Sequence, residues 1–116
     1  MNEVASISST RRSQRFAPRR PVTVAISKDG APFTYGIVSN ISEGGACFQT
    51  NVVPRHHVLD VLLSVYDGEY VRTTGRVVWS DSADGLATLG VQFTELTDQA
   101  RQCLRSNFSS GAFIPM

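Results

Sequence analysis

Six short segments in which apolar residues return at every second position, each closed by a turn signal, constrain the fold of this chain more than any other feature. Val22-Thr23-Val24-Ala25-Ile26 opens the series with β-branched residues, and Lys28-Asp29-Gly30 ends it as a turn. Phe33 to Ile41 follows, with Phe33, Tyr35, Ile37 and Ile41 at period two, then Ser42-Glu43-Gly44-Gly45 as a tight connection into Ala46-Cys47-Phe48-Gln49. Pro54 to His57 reads as loop. Leu59, Val61, Leu63 and Val65 alternate in a fourth segment, and Tyr66-Asp67-Gly68-Glu69 is a hairpin signal. Val71 to Trp79 and Leu86 to Phe93 complete the set, with Asp81 to Gly85 between them as a polar loop.

The period then changes. Ala100, Cys103, Leu104 and Phe108 recur at helical spacing behind Thr97, which suits an N-cap, and Asp98, which the helix dipole favours in a first turn. The pattern predicts an all-β fold: a six-stranded antiparallel β-barrel with one C-terminal α-helix from about Thr97 to Phe108, closing one end. No run approaches the ~20 apolar residues that span a bilayer, so no membrane insertion is expected. The N-terminus lacks an apolar signal stretch, which makes a cytoplasmic location the expectation. Cys47 and Cys103 match no metal-ligand spacing and read as buried thiols.

Charge is divided along the chain. Five arginines against Glu3 give residues 1–20 a charge of +4, and six basic against nine acidic residues give the remainder −3, within a formal net charge of +1. A basic arm on a mildly acidic body implies an anionic partner for the arm. All the basic residues but Lys28 are arginine, whose planar fork pairs bidentately with phosphates and base edges. Residues 1–10 are expected to be disordered and 11–21 to form an arginine-rich arm. Residues 22–108 should form the barrel and helix, and 109–116 a tail.

Two local patterns carry chemistry. Arg11-Arg12-Ser13-Gln14-Arg15 contains Arg-x-x-x-Arg with an extra arginine, and Asn40-Ile41-Ser42-Glu43-Gly44-Gly45 contains Asn-x-Ser-x-x-Gly at a strand-to-strand turn. The second is also ordinary turn chemistry: Asn tolerates left-handed backbone, Ser caps amides and Gly supplies positive φ. His56-His57 has no supporting ligand nearby and reads as solvated loop. Asp81 and Asp84 read as solubility residues, and Ser42 lacks a partner base. No constellation for catalysis, no metal site and no cofactor emerge.

Together and in this order the two patterns resemble the PilZ family, whose members carry Arg-x-x-x-Arg before the first barrel strand and Asp/Asn-x-Ser-x-x-Gly between the second and third. Gly75-Arg76-Val77-Val78-Trp79 and Leu89-Gly90-Val91-Gln92-Phe93 are similar to that family's fifth and sixth strands. The resemblance spans about Arg11 to Phe108. It implies a receptor or adaptor, not an enzyme, that binds the bacterial second messenger cyclic di-GMP and signals to an unidentified downstream protein, with outputs such as motility and exopolysaccharide production. By the same resemblance Arg11, Arg12 and Arg15 are the ligand arginines, and Asn40 and Ser42 bond guanine edges or phosphate. Gly44 and Gly45 let the backbone approach. Trp79 either flanks a guanine or belongs to the core. Asn40, Ser42 and Gly45 are expected on an exposed rim that the arm can reach, in a monomer or weak homodimer. The alternatives are a small nucleic-acid-binding barrel and a PilZ-like interaction protein that binds no nucleotide.

Overall fold

The computed structural model describes residues 14–28, 31–52, 54–65 and 68–116, with the side chains of 31–33 left aside. Arg11 and Arg12, the segment 1–10, and the turn residues Asp29, Gly30, Tyr66 and Asp67 lie outside the described residues. The strands are β1 (Phe16–Pro18), β2 (Thr23–Lys28), β3 (Ala31–Ile41), β4 (Gly45–Thr50), β5 (Val58–Ser64), β6 (Tyr70–Ala83), β7 (Leu86–Phe93) and, after helix α1 (Asp98–Ser109), β8 (Phe113–Pro115).

Six of these strands close a barrel. The order runs β2-β5-β6-β7-β4-β3, and β3 pairs back onto β2, all antiparallel. Val24, Ile26, Phe48, Leu59, Val61, Leu63, Val71, Leu89 and Val91 point inward and are buried, as the alternation requires. Helix α1 adds Ala100 and Leu104 to the same core. Its N-cap is Thr97, whose Oγ1 accepts the Ala100 N–H at 3.1 Å, with Asp98 in the first turn. Among the described residues no helix is long and apolar enough to cross a membrane.

Four details differ from the sequence reading. The chain past residue 109 holds β8, which pairs with β1 through Phe16↔Pro115, Ala17↔Ile114 and Pro18↔Phe113. The segment Asp81 to Gly85 is not a loop: β6 runs through Ala83, and Asp84-Gly85 alone makes the turn, both with positive φ. That is the two-residue geometry an Asp-Gly pair favours between antiparallel strands. Tyr35 and Ile37 face outward, 71% and 54% exposed, while Gly36 and Val38 take the inward parity. Cys47 and Cys103 are half-buried free thiols rather than sealed ones.

Candidate ligand-binding site

Two β-bulges decide which side chains reach the barrel's outer surface. On β3 the pairs are Val38↔Phe48 and then Asn40↔Cys47, so Ser39 is the extra residue. Strict alternation from the buried Val38 would send Asn40 inward. The bulge turns it out and returns Ile41 to the core. On β6 the pairs are Val77↔Val91 and then Trp79↔Gly90, so Val78 is extra. Trp79, which shares parity with buried Val71 and Thr73, is thereby turned out and stands 49% exposed. It is a surface residue, and the core reading is set aside.

A row of four outward-facing positions therefore crosses four neighbouring strands: Asn40 on β3, Cys47 on β4, Gly90 on β7 and Trp79 on β6. A side chain at position 90 would run into the Trp79 ring at Nε1 and Cε2, so the indole lies across that glycine. A cavity of about 660 Å³ opens over this row, lined by Arg15, Asn40, Ser42, Cys47, Trp79 and Gln92 among others. That volume falls within the range of small-molecule pockets.

The arm reaches this cavity. Strand β1 pairs with β3 through Phe16↔Ile41, which sets Arg15 beside the start of the turn. The Phe16 ring stacks on Phe108 of α1 with centroids 4.2 Å apart, and Phe108 meets Phe113 of β8 edge-on at 5.3 Å. The Met116 N–H donates to the Arg15 carbonyl at 3.0 Å and the Arg19 N–H to the Ala112 carbonyl at 3.1 Å. So held, Arg15 Nη1 donates to Asn40 Oδ1 at 2.6 Å, joining the two sequence motifs directly.

Ser42 and Gly45 do not stand on the exposed rim expected of them. Ser42 is 2% exposed. Its Oγ accepts the Gly44 N–H at 3.0 Å, and its own N–H donates to the Gly45 carbonyl at 2.8 Å. The hydroxyl is thus used inside the turn. Gly45 is buried because β4 and β7 approach closely there; a Cβ would meet the Val91 carbonyl. Gly44 is exposed, and its carbonyl accepts the Phe93 N–H at 2.9 Å. Of the remaining site residues, Asn40 is partly exposed and Arg15 exposed.

Sequence reasoning passed over three participants. Cys47 and Gly90 complete the row, and strand alternation next to Phe48 and Leu89 was the signal for both. Glu43, inside the turn, pairs with Arg105 Nε at 2.9 Å and Arg101 Nε at 3.8 Å, tying the turn to α1. Burial pushes the Cys47 thiol above its ordinary range, and the nearby Arg15 charge partly offsets this. Burial and then the Glu69 carboxylate push Cys103 up as well. His56 and His57 are exposed, and no cluster of metal-ligating side chains occurs among the described residues. A larger open cleft of about 1220 Å³ beside α1 is lined by Gln99, Gln102, Ser106 and their neighbours and holds neither motif.

The family model described as PilZ domain matches residues 9–109. Among solved structures the chain is similar to the PilZ domain with c-di-GMP of YcgR from Escherichia coli, at 15% identity and a TM-score of 0.67, over 85% of this chain and 89% of that one. It is similar to MotI/DgrA, the inhibitor of motility of Bacillus subtilis, at 14% identity and a TM-score of 0.66, over 87% of this chain and 53% of that one. The K. pneumonia MrkH–c-di-GMP complex is similar at 17% identity and a TM-score of 0.66, over 85% of this chain and 50% of that one. The chain thus spans about half the length of MotI and MrkH. A search of curated protein sequences gave no match. Because the family model runs from the arm through all six barrel strands to the end of α1, the chain belongs to the PilZ domain family.

Proposed function

We propose that this domain is a cyclic di-GMP receptor or adaptor that holds the messenger between its Arg-x-x-x-Arg arm and the Asn40–Gly45 turn and signals by conformational change to a partner protein. The observation that carries this reading is the 2.6 Å hydrogen bond from Arg15 to Asn40 at the edge of a cavity that also contains Trp79. The ligand has two phosphates and two guanines. A guanidinium pairs with a phosphate or with guanine O6 and N7. An exposed indole offers a flat apolar face to a purine. The arm motif supplies Arg11 and Arg12 as further ligand arginines. Two of the similar structures, YcgR and MrkH, are described with c-di-GMP.

Each site residue has a distinct role. Arg15 and Asn40 contact the ligand, and Trp79 flanks a guanine. Ser42, with its hydroxyl engaged by Gly44, fixes the turn and presents the exposed Gly44 backbone. No chemical step is assigned to the site; the domain acts by binding.

Calorimetric titration with cyclic di-GMP, with GMP and a short oligonucleotide as controls, tests the proposal. Saturable binding of the cyclic dinucleotide alone is expected. Arg15→Ala should weaken it by roughly tenfold to a hundredfold, the effect of a hydrogen bond to a charged group. Binding that is equal for the oligonucleotide, and that falls steeply with salt, would point instead to a nucleic-acid-binding barrel. Absence of binding would leave the interaction module that binds no nucleotide.

A further inference from the structure

Between the Asn40 and Trp79 positions the outer face of the barrel offers two residues. Gly90 has no side chain and lies beneath the indole. Cys47 is therefore the one side chain of the row that rises between the Arg15–Asn40 pair and the tryptophan. Strands sit ~4.8 Å apart, so the gap from β3 to β6 is about 14 Å, and Cys47 occupies its near half. We propose that Cys47 is the floor of the ligand site and the residue that sets its depth, so that a guanine seated between the Arg15–Asn40 pair and the Trp79 ring rests on its side chain.

This inference deepens the cyclic di-GMP reading and rests on it. The fit is one of volume. Cys47 is small, partly exposed and lines the cavity, whereas the inward-facing Phe48 beside it fills the core. A branched or longer side chain at position 47 would stand in the space between Arg15 and Trp79. Electrostatics agree with this placement. Burial shifts the thiol further toward its uncharged form, against a partial offset from Arg15, so the floor does not gain negative charge against an anionic ligand.

The test uses the full chain with Cys103→Ser, which leaves Cys47 as its one thiol. Saturating cyclic di-GMP should slow alkylation of Cys47 by iodoacetamide. Cys47→Leu should lower affinity by about fivefold to 150-fold, the usual consequence of overfilling a packed site, and Cys47→Ala by less. Circular dichroism checks that the Leu variant is folded, and the alkylation experiment does not depend on that variant. An unchanged alkylation rate while calorimetry shows the ligand bound, or Leu and Ala variants with equal affinity, would overturn the role of Cys47 and leave the messenger reading intact. Failure of the unsubstituted chain to bind cyclic di-GMP would overturn that reading and the proposal with it.

Discussion

Phe16→Ala separates the arm's docking from the barrel's own stability. Phe16 is half-buried, stacks on Phe108 at 4.2 Å and begins the strand that places Arg15. Truncating a fully buried Phe costs ~3–5 kcal/mol, and a stacked pair contributes ~0.5–1.5 kcal/mol beyond its buried area. For a half-buried ring about 2 kcal/mol is expected. That energy holds β1 to β8, to α1 and to the edge of the core; the strand pairing that closes the six-stranded barrel includes neither β1 nor β8. Hydrogen exchange reads the effect at two amides, Arg19 to the Ala112 carbonyl and Met116 to the Arg15 carbonyl. Both should lose protection by up to about thirtyfold, while the amides that pair β6 with β7 keep theirs. If docking of β1 gates the site, apparent affinity for the ligand falls with the docked fraction, within the same thirtyfold ceiling. Unchanged protection at both amides would refute the argument that the aromatic stack positions Arg15.

Three further outcomes follow from particular contacts. Thr97→Ala removes the Oγ1 that accepts the Ala100 N–H and should cost about 1 kcal/mol in a denaturant melt. Gly85→Ala forces a side chain onto a backbone with φ of 78° and should cost ~1–2 kcal/mol without altering the strand pairing of β6 and β7, as far-ultraviolet spectra and melting temperature would show. In a Cys103→Ser background the rate of Cys47 alkylation should rise with pH through a midpoint above that of a free thiol. Arg15→Ala should move that midpoint further up, because it removes the charge that favours the thiolate; a downward move would contradict the geometry.

The barrel was legible because its signal is the simplest physical one, an apolar face repeated every second residue. Leu59, Val61 and Leu63 alternate in sequence and are all buried. The helix announced itself by Thr97, Asp98 and the spacing of Ala100 and Leu104. What alternation could not show is where it is broken. Nothing in Ile37-Val38-Ser39-Asn40 marks Ser39 as the extra residue, nor does Val77-Val78-Trp79 mark Val78, because a bulge is fixed by the partner strand as well as its own. Yet those two residues decide that Asn40 and Trp79 face out. For the same reason Tyr35 and Ile37, in period with Ile41 along the sequence, face outward while Ile41 is buried. Strands β1 and β8 are three residues each, too short for a period, and their pairing joins positions about a hundred residues apart. The Asp84-Gly85 turn was readable from its residue types, but its polar neighbours Asp81 and Ser82 masked the strand that runs into it.

Asn40 and Arg15 are twenty-five residues apart and meet at 2.6 Å, and the fold brings them together by two independent routes. One runs through the arm: β1 pairs with β3 and β8, and Phe16 seals on Phe108. The other runs through the turn: Glu43 reaches Arg105 and Arg101 on the same helix. Exposed ion pairs of this kind contribute little to stability, so the second route orients the turn more than it strengthens the fold. The aromatic route does both. Helix α1 is thus touched by each half of the proposed site, Phe108 from the arm and Arg105 from the turn, within a single turn of helix. A ligand that draws Arg15 away from Asn40, or shifts the turn against the arm, changes the load on two residues three positions apart on one helical face. On the proposed function, a ligand held by Arg15 and the turn would therefore bear on α1 through both Phe108 and Arg105, and hydrogen exchange along α1 with and without cyclic di-GMP reads whether it does.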